Sequence, residues 1–451
     1  MPADRAKPKS PLARILANTA WLLGGKGFGA ICSIVYLAIL TRTLGLKGFG
    51  HFSLIFGTAQ ALIAIAGFQT WRVVVRYGAP HVHAENWPAF GRLAMLGGTL
   101  DAIGAAMGCA VAAVVFYGFA HLLDLNAAYI DTGFLFCCAQ LWALTSAPTG
   151  IVRALNRFEM GVYVEAVVPV GRLIGAAVIW LTGASVARFL FVWALVDIIE
   201  AICYWAMSRK LRPEAVRLSY LRDYREAIAE NPGLTRFFVV TYISSTLDAL
   251  TKNGPLLLVG GLIGTRAAGL YRLASQLSQA LSKFSTMLTR AVYAEISRMR
   301  VASSVQEFTR LALQTSGLAG LGGLLVVVIA MTLGRNLLAL IGGEDFENGA
   351  AILVPLAIAA SLDLASVAFE PVLHSSGRAQ LSLLARLVSV AALGVGIVLF
   401  IGIGPSGAAW AVALGSVASY LAMGALALFA LRRMRQDDLP LPEEIAASTA
   451  D

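Results

Sequence analysis

Five residues of one apolar stretch share a helical face. Arg272, Gln276, Gln279, Lys283 and Arg290 stand at offsets of 0, 4, 7, 11 and 18. At about 100° per residue they fall within a sector of roughly 60°. Tyr271, Ser275 and Ser282 flank them. Cations interleaved with carboxamides suit an anion that also carries hydroxyl groups. The bland reading is a helix facing a polar seam, with Arg290 reaching for the membrane surface. One apolar stretch earlier, Asp248 and Lys252 lie four residues apart on one face. They either pair with each other, or Asp248 takes up a coupling proton or sodium ion while Lys252 meets the substrate. Asn253-Gly254-Pro255 follows and predicts a kink or hinge, because proline removes a bond of the helical ladder.

A charge at membrane depth costs roughly 2.5–3.5 kcal/mol on insertion scales, so every ionisable residue in an apolar run is a candidate. Asp101, Asp197, Glu200, Asp363 and Glu370 are possible ion-coupling carboxylates, with Arg172 and Arg386 as structural partners. Lys26 sits in Gly24-Gly-Lys-Gly-Phe-Gly29, where close helix packing is the expected role. Gly104/Gly108 and Gly171/Gly175 are packing pairs of the small-xxx-small kind.

Other chemistries find no footing. Gly24 to Gly29 lacks the Ser or Thr and the preceding strand of a phosphate loop. His81-Val-His83 reads as a solvated loop. The five cysteines (Cys32, Cys109, Cys137, Cys138, Cys203) lie in apolar runs without metal-ligand spacing. No nucleophile grouping and no nucleotide-binding domain stands out, so the expectation is neither an enzyme nor a direct consumer of ATP, with no metal and no cofactor.

The elements that hold these residues are membrane spans. The chain is 58% hydrophobic and only 14% charged, against roughly 25% charged in soluble domains. Its net charge of +9 is spread over loops, which argues against nucleic acid as a partner. With about 20 apolar residues per span, spans are expected near 19–40, 50–71, 92–118, 131–152, 162–181 and 187–207. Six more are expected near 236–263, 267–289, 311–332, 350–373, 381–402 and 407–430. This gives an all-α integral membrane protein of about twelve helices: a six-helix lobe (1–207), a cytoplasmic linker (208–235), a second six-helix lobe (236–431) and a tail (432–451). The basic start, Met1 to Leu16, lacks a cleavage site, so the first apolar segment is expected to stay as a helix. With the N-terminus inside, 24 Lys and Arg fall on the cytoplasmic side and 5 on the outer side. Both termini are therefore expected in the cytoplasm.

The halves echo each other. Gly50-His-Phe-Ser-Leu to Leu62 aligns with Gly269-Leu-Tyr-Arg-Leu to Leu281, and Phe52 faces Tyr271. Pro148, Asn156 and Arg157 align more weakly with Pro371, Gly377 and Arg378. A parallel repeat implies a pseudo-two-fold axis along the membrane normal, with a site between the halves.

Thr41-Arg42-Thr-Leu-Gly45, a short turn, and then Phe49-Gly50-His-Phe52 resemble the opening signature of the bacterial polysaccharide (oligosaccharide) flippases. These belong to the multidrug/oligosaccharidyl-lipid/polysaccharide exporter superfamily. Gly269-Leu-Tyr271, Leu155-Asn-Arg157-Phe and Ser376-Gly-Arg378 resemble further family turns. Lys47 stands where the family usually has Pro, and Asn156 where it usually has Gly. The resemblance implies two lobes around a cavity, alternating access, and a bacterial inner-membrane location. It implies a lipid pyrophosphate-linked oligosaccharide as substrate, moved to the outer leaflet for surface polysaccharide such as lipopolysaccharide or exopolysaccharide. Arg272, Lys252 and Lys283 would meet the pyrophosphate or acidic sugars, Gln276 and Gln279 the hydroxyls, and Arg290 would extend the stripe. Asp248, Asp101, Asp363 and Glu370 are the ion-coupling candidates; proton, sodium and no ion all stay open. The bilayer and other polysaccharide-assembly membrane proteins are the expected partners. The rival readings are a drug or cation antiporter, which calls for an acidic and aromatic cavity, and a polymerase or ligase, which calls for a large outer loop.

Overall fold

The computed structural model describes residues 11–298, 305–367, 369, 373 and 380–437. Among the described residues every regular element is helical. Eight helices are long and apolar enough to cross a membrane. The first of them, Gly27–Ala66, belongs to α1 (Pro11–Ala66), which kinks at Gly45 (φ 64°, ψ 179°) and so supplies two spans. That backbone region is open to glycine almost alone. Three further helices carry charges along membrane-length stretches and bring the total to about twelve. These are α8 (Val186–Leu211), α10 (Leu234–Leu262) and α11 (Thr265–Arg298).

The chain divides into two compact units after Thr246, inside α10. The first holds α2 (Thr70–His83), α3 (Trp87–Ala113), α4 (Ile130–Trp142), α5 (Ser146–Ala154), α6 (Phe158–Glu165), α7 (Val167–Thr182), α8 and the short α9 (Tyr224–Ala229). The second holds α11, α12 (Val305–Gly342), α13 (Ala350–Ala365), α14 (Gln380–Phe400) and α15 (Pro405–Asp437).

One expectation changes. The stretch from 72 to 91, read as a loop, is mostly the helix α2. It buries Thr70, Val73, Val74 and Gly78 against α3 and α5. At 14 residues it is too short to span, and its stability comes from packing one face. His81 and His83 therefore stand on a helical last turn, and His81 Nε2 lies 3.0 Å from Asn231 Oδ1. At Asn253-Gly254-Pro255, where a kink or hinge is expected, α10 runs on as one helix with Pro255 inside it. One missing ladder bond is tolerated within a membrane-spanning helix. Residues 213–229, in the segment expected to link the halves, fold onto α3, where Glu230 takes the Arg92 guanidinium.

The aromatic heart of the first unit is Trp193, fully buried, with Tyr36, Phe52 and Phe189 at 5.4–5.7 Å between ring centroids. α7 lies close along α8 because Gly171 and Gly175 leave room for Val196 and Val192. In the second unit Ser361 Oγ donates to the Gly323 carbonyl at 2.7 Å, seating α13 on α12. The repeated motif shares two features in both halves. Phe52 and Tyr271 are both buried, and Gly45 and Gly264, 219 residues apart, both turn the chain with positive φ. Asn156, which replaces a usual glycine, has φ 58°, a left-handed position that asparagine also accepts.

Candidate functional site

The second unit holds an open cavity of about 640 Å³, within the size range of small-molecule sites, roughly 300–1,000 Å³. Five helices line it. α10 contributes Asp248, Thr251 and Lys252, and α11 contributes Tyr271, Ser275, Ser278, Gln279, Ser282 and Lys283. α13 contributes Asp363, α14 Arg386 and Ser389, and α15 Ser416 and Ser419. Three cations thus share the space with two carboxylates. Lys252, Gln279 and Lys283 are exposed to it, and neither lysine has an ion-pair partner among the described residues.

Asp248 does not turn to Lys252, one helical turn away on its own helix. Arg386 reaches it from α14, with Nη1 2.6 Å from Oδ1. A guanidinium is more weakly hydrated than an ammonium and holds a carboxylate with a preformed fork, so it wins that competition. Asp363 stands beside Ser416, within electrostatic reach of Lys252 and Asp248. Ser278 Oγ is buried and has no hydrogen-bond partner.

The predicted stripe on α11 enters the cavity by one edge. The lining positions 271, 275, 278, 279, 282 and 283 centre roughly 70° around the helix from the stripe. Gln279 and Lys283 belong to both sets. Arg272 and Gln276 are half-buried on the adjacent face and do not line the cavity. Gln276 keeps a buried carbonyl oxygen without a partner. The side chains of Arg290 and Lys26, and Glu370 entirely, lie outside the described residues. The serines carry the signal that marks the cavity-lining face. Ser275, Ser278 and Ser282 recur at helical spacing in a span where apolar residues would face lipid.

The other predicted carboxylates belong to the first unit. Asp101 is buried and accepts hydrogen bonds from Thr70 Oγ1 at 2.8 Å and from the Ala147 backbone N–H at 2.9 Å. It thereby ties α3 to the starts of α2 and α5. The spare groups of the α4–α5 break are satisfied in the same way, since Trp205 Nε1 donates to the Leu144 carbonyl at 2.9 Å. Broken helix survives at membrane depth only when such groups find partners. Asp197 on α8 receives Arg172 from α7 at 2.8 Å and Gln140 Nε2 from α4 at 2.5 Å. The Arg172 guanidinium lies 5.6 Å from the Phe56 ring and 5.5 Å from the Trp193 ring. Glu200 is half-buried one turn along α8.

Among the described residues no group of His, Cys, Asp and Glu could hold a metal ion. A smaller cavity of about 280 Å³ in the first unit is lined by Trp71, Arg153, Glu165 and Tyr204. Arg153 is already engaged there, by Glu165 at 3.6 Å and by the Trp71 ring at 4.7 Å.

Comparison with known proteins adds three findings. The family model described as "Polysaccharide biosynthesis protein" matches residues 15–300. The inner membrane protein YghQ of Escherichia coli (strain K12) is 25% identical over 333 residues, which is 74% of this chain and 93% of that protein. Among solved structures, an inward closed form of the lipid II flippase MurJ superposes with a TM-score of 0.68 at 10% identity, covering 93% of both chains. An inward-facing multidrug resistance transporter of the MATE family, in the MOP superfamily, superposes with a TM-score of 0.66 at 12% identity, covering 91% of this chain and 96% of that one. At such identities these likenesses establish a shared fold.

Proposed function

The chain belongs to the polysaccharide biosynthesis protein family, and from that premise we propose that it is a flippase for lipid pyrophosphate-linked oligosaccharide. The substrate's headgroup would pass from the cytoplasmic to the outer leaflet of the bacterial inner membrane by alternating access, while its lipid tail stays in the bilayer. The observation that carries this reading is the cavity of the second unit. Lys252 and Lys283 face it without a paired carboxylate among the described residues, and Gln279 and serine hydroxyls surround them. Two ammonium groups suit the phosphates, and hydroxyls with a carboxamide suit the first sugars. Arg272, Gln276 and Arg290 continue the cationic stripe beyond the lining, and the proposal gives direct headgroup contact to Lys252, Lys283 and Gln279. Asp363 is the ion-coupling candidate that faces the cavity without an arginine on it among the described residues. A drug or cation exporter would want the opposite balance of charge.

Leaflet exposure tests the reading. In a strain lacking this gene and its relatives, a membrane-impermeant glycosidase or lectin is applied to the outer face. Precursor that accumulates and stays hidden supports the assignment. Precursor that remains fully exposed overturns it, and efflux of organic cations is then the activity to measure.

A further inference from the structure

We infer that Asp248 is an internal stand-in for the substrate's phosphate: it holds Arg386 at the cavity wall, and headgroup binding hands Arg386 over to the phosphate oxygens. This rests on the anion-carrying reading above and adds Arg386 to the residues that contact substrate. The predicted stripe on α11 does not contain it.

Three observations carry the inference. First, the pair spans two cavity-lining helices, α10 and α14, at 2.6 Å. Second, it is accessible: the Arg386 side chain is 19% exposed and that of Asp248 38%. An ion pair that only tied helices together would be better placed shut away from the cavity, as Arg172–Asp197 is at 12% and 11%. Third, each side of the pair has somewhere to go. Guanidinium presents five N–H donors in a fixed fork that fits phosphate as well as carboxylate. Asp248, once released, has Lys252 at i+4 on its own helix, and that ammonium has three donors, enough to meet the carboxylate and the phosphate together.

The exchange is balanced. N–H···O bonds to a carboxylate are lost and N–H···O bonds to a phosphate form, with no proton moved and no charge left alone. It also provides for release, because Asp248 competes for Arg386 at every moment the substrate is bound. A carrier that bound pyrophosphate with three uncontested cations would hold it too firmly to let it go.

The test is calorimetric binding of inorganic pyrophosphate to the purified full-length protein, at one fixed ionic strength. Asp248→Asn should bind roughly tenfold tighter than wild type, the scale of a hydrogen bond to a charged group. The gain should vanish in Asp248→Asn/Arg386→Ala, since a double-mutant cycle isolates the coupling between the two. Asp248→Ser serves in the same way if the amide variant fails to reach the membrane. A gain that persists without Arg386 would show that only the field of the carboxylate was removed, and the exchange would be wrong. Unchanged or weaker binding by Asp248→Asn, with wild type binding and Lys252→Ala/Lys283→Ala binding less, overturns the exchange and leaves the anion cavity standing. If wild type and every variant ignore pyrophosphate, the anion cavity itself fails and the exchange falls with it.

Discussion

Arg172 on α7 and Asp197 on α8 meet at 2.8 Å, between helices brought close by Gly171 and Gly175. Gln140 from α4 fills a further acceptor site of the same carboxylate. Three helices of the first unit are therefore pinned at one anion. Asp197→Ala leaves a guanidinium almost enclosed and unpaired, and should cost about 3 kcal/mol. Thermal denaturation in detergent reads this as a lowered midpoint. Arg172→Met/Asp197→Leu should recover much of the loss, because apolar pairs replace enclosed ion pairs at little cost. A single variant as stable as wild type would show that the pair does not hold these helices.

Packing at Gly175 makes a second claim. A Cβ built there would lie 2.2 Å from Val192 Cγ1. Gly175→Ala should therefore destabilise by about 1–3 kcal/mol through overpacking. Val192→Ala in the same chain should relieve most of it. Size-exclusion profiles of fluorescently tagged protein would show the loss and the rescue as a fall and a return of the monodisperse peak.

Asp101 separates two roles cleanly. As the acceptor that joins Thr70 and the Ala147 N–H, its loss should loosen α2 and α5. Asp101→Ala should lower stability by about 2 kcal/mol, the cost of leaving enclosed donors unsatisfied, and Asp101→Asn should do less harm because its carbonyl can still accept. An ion-coupling role would give another result: Asp101→Asn fully stable, but inactive in transport.

On α11 the comparison is between neighbours. Lys283→Ala removes a cation that faces the cavity, and Arg272→Ala removes one on the adjacent face. Outer-leaflet exposure of the lipid-linked precursor should fall about tenfold with Lys283→Ala, a loss of roughly 1.4 kcal/mol in headgroup stabilisation. It should fall less with Arg272→Ala at equal membrane levels. The reverse order would move the substrate to the other face of the helix.

Much of this architecture was legible because its causes are local. A run of about 20 apolar residues has one use in a charge-poor chain, so the spans emerge one after another. The turn at Gly45 was readable from Gly and the residues around it. Arg172 could be assigned as a structural partner for a carboxylate, since an arginine at membrane depth needs an anion. The failures have a common cause. α2 is helical because Val73, Val74 and Gly78 fit surfaces of α3 and α5, and those surfaces are distant in sequence. The preference of Asp248 for Arg386 over Lys252 likewise depends on α14 passing beside α10. On α11, charge spacing located the polar side only to within one helical face. The cations mark where the helix tolerates charge, and the small hydroxyls mark where it meets the cavity.

The lining of that cavity includes seven serines, Ser275, Ser278, Ser282, Ser366, Ser389, Ser416 and Ser419. Ser282, Ser366 and Ser389 donate their hydroxyl hydrogens to backbone carbonyls, so toward a ligand they offer acceptor oxygens. A wall of such small acceptors suits sugar hydroxyls without fixing one arrangement of them. Fidelity to one glycan would then be settled upstream, by the enzymes that assemble it. On the proposed function, an altered sugar should pass through this cavity nearly as readily as the usual one, as long as it arrives on its phosphates.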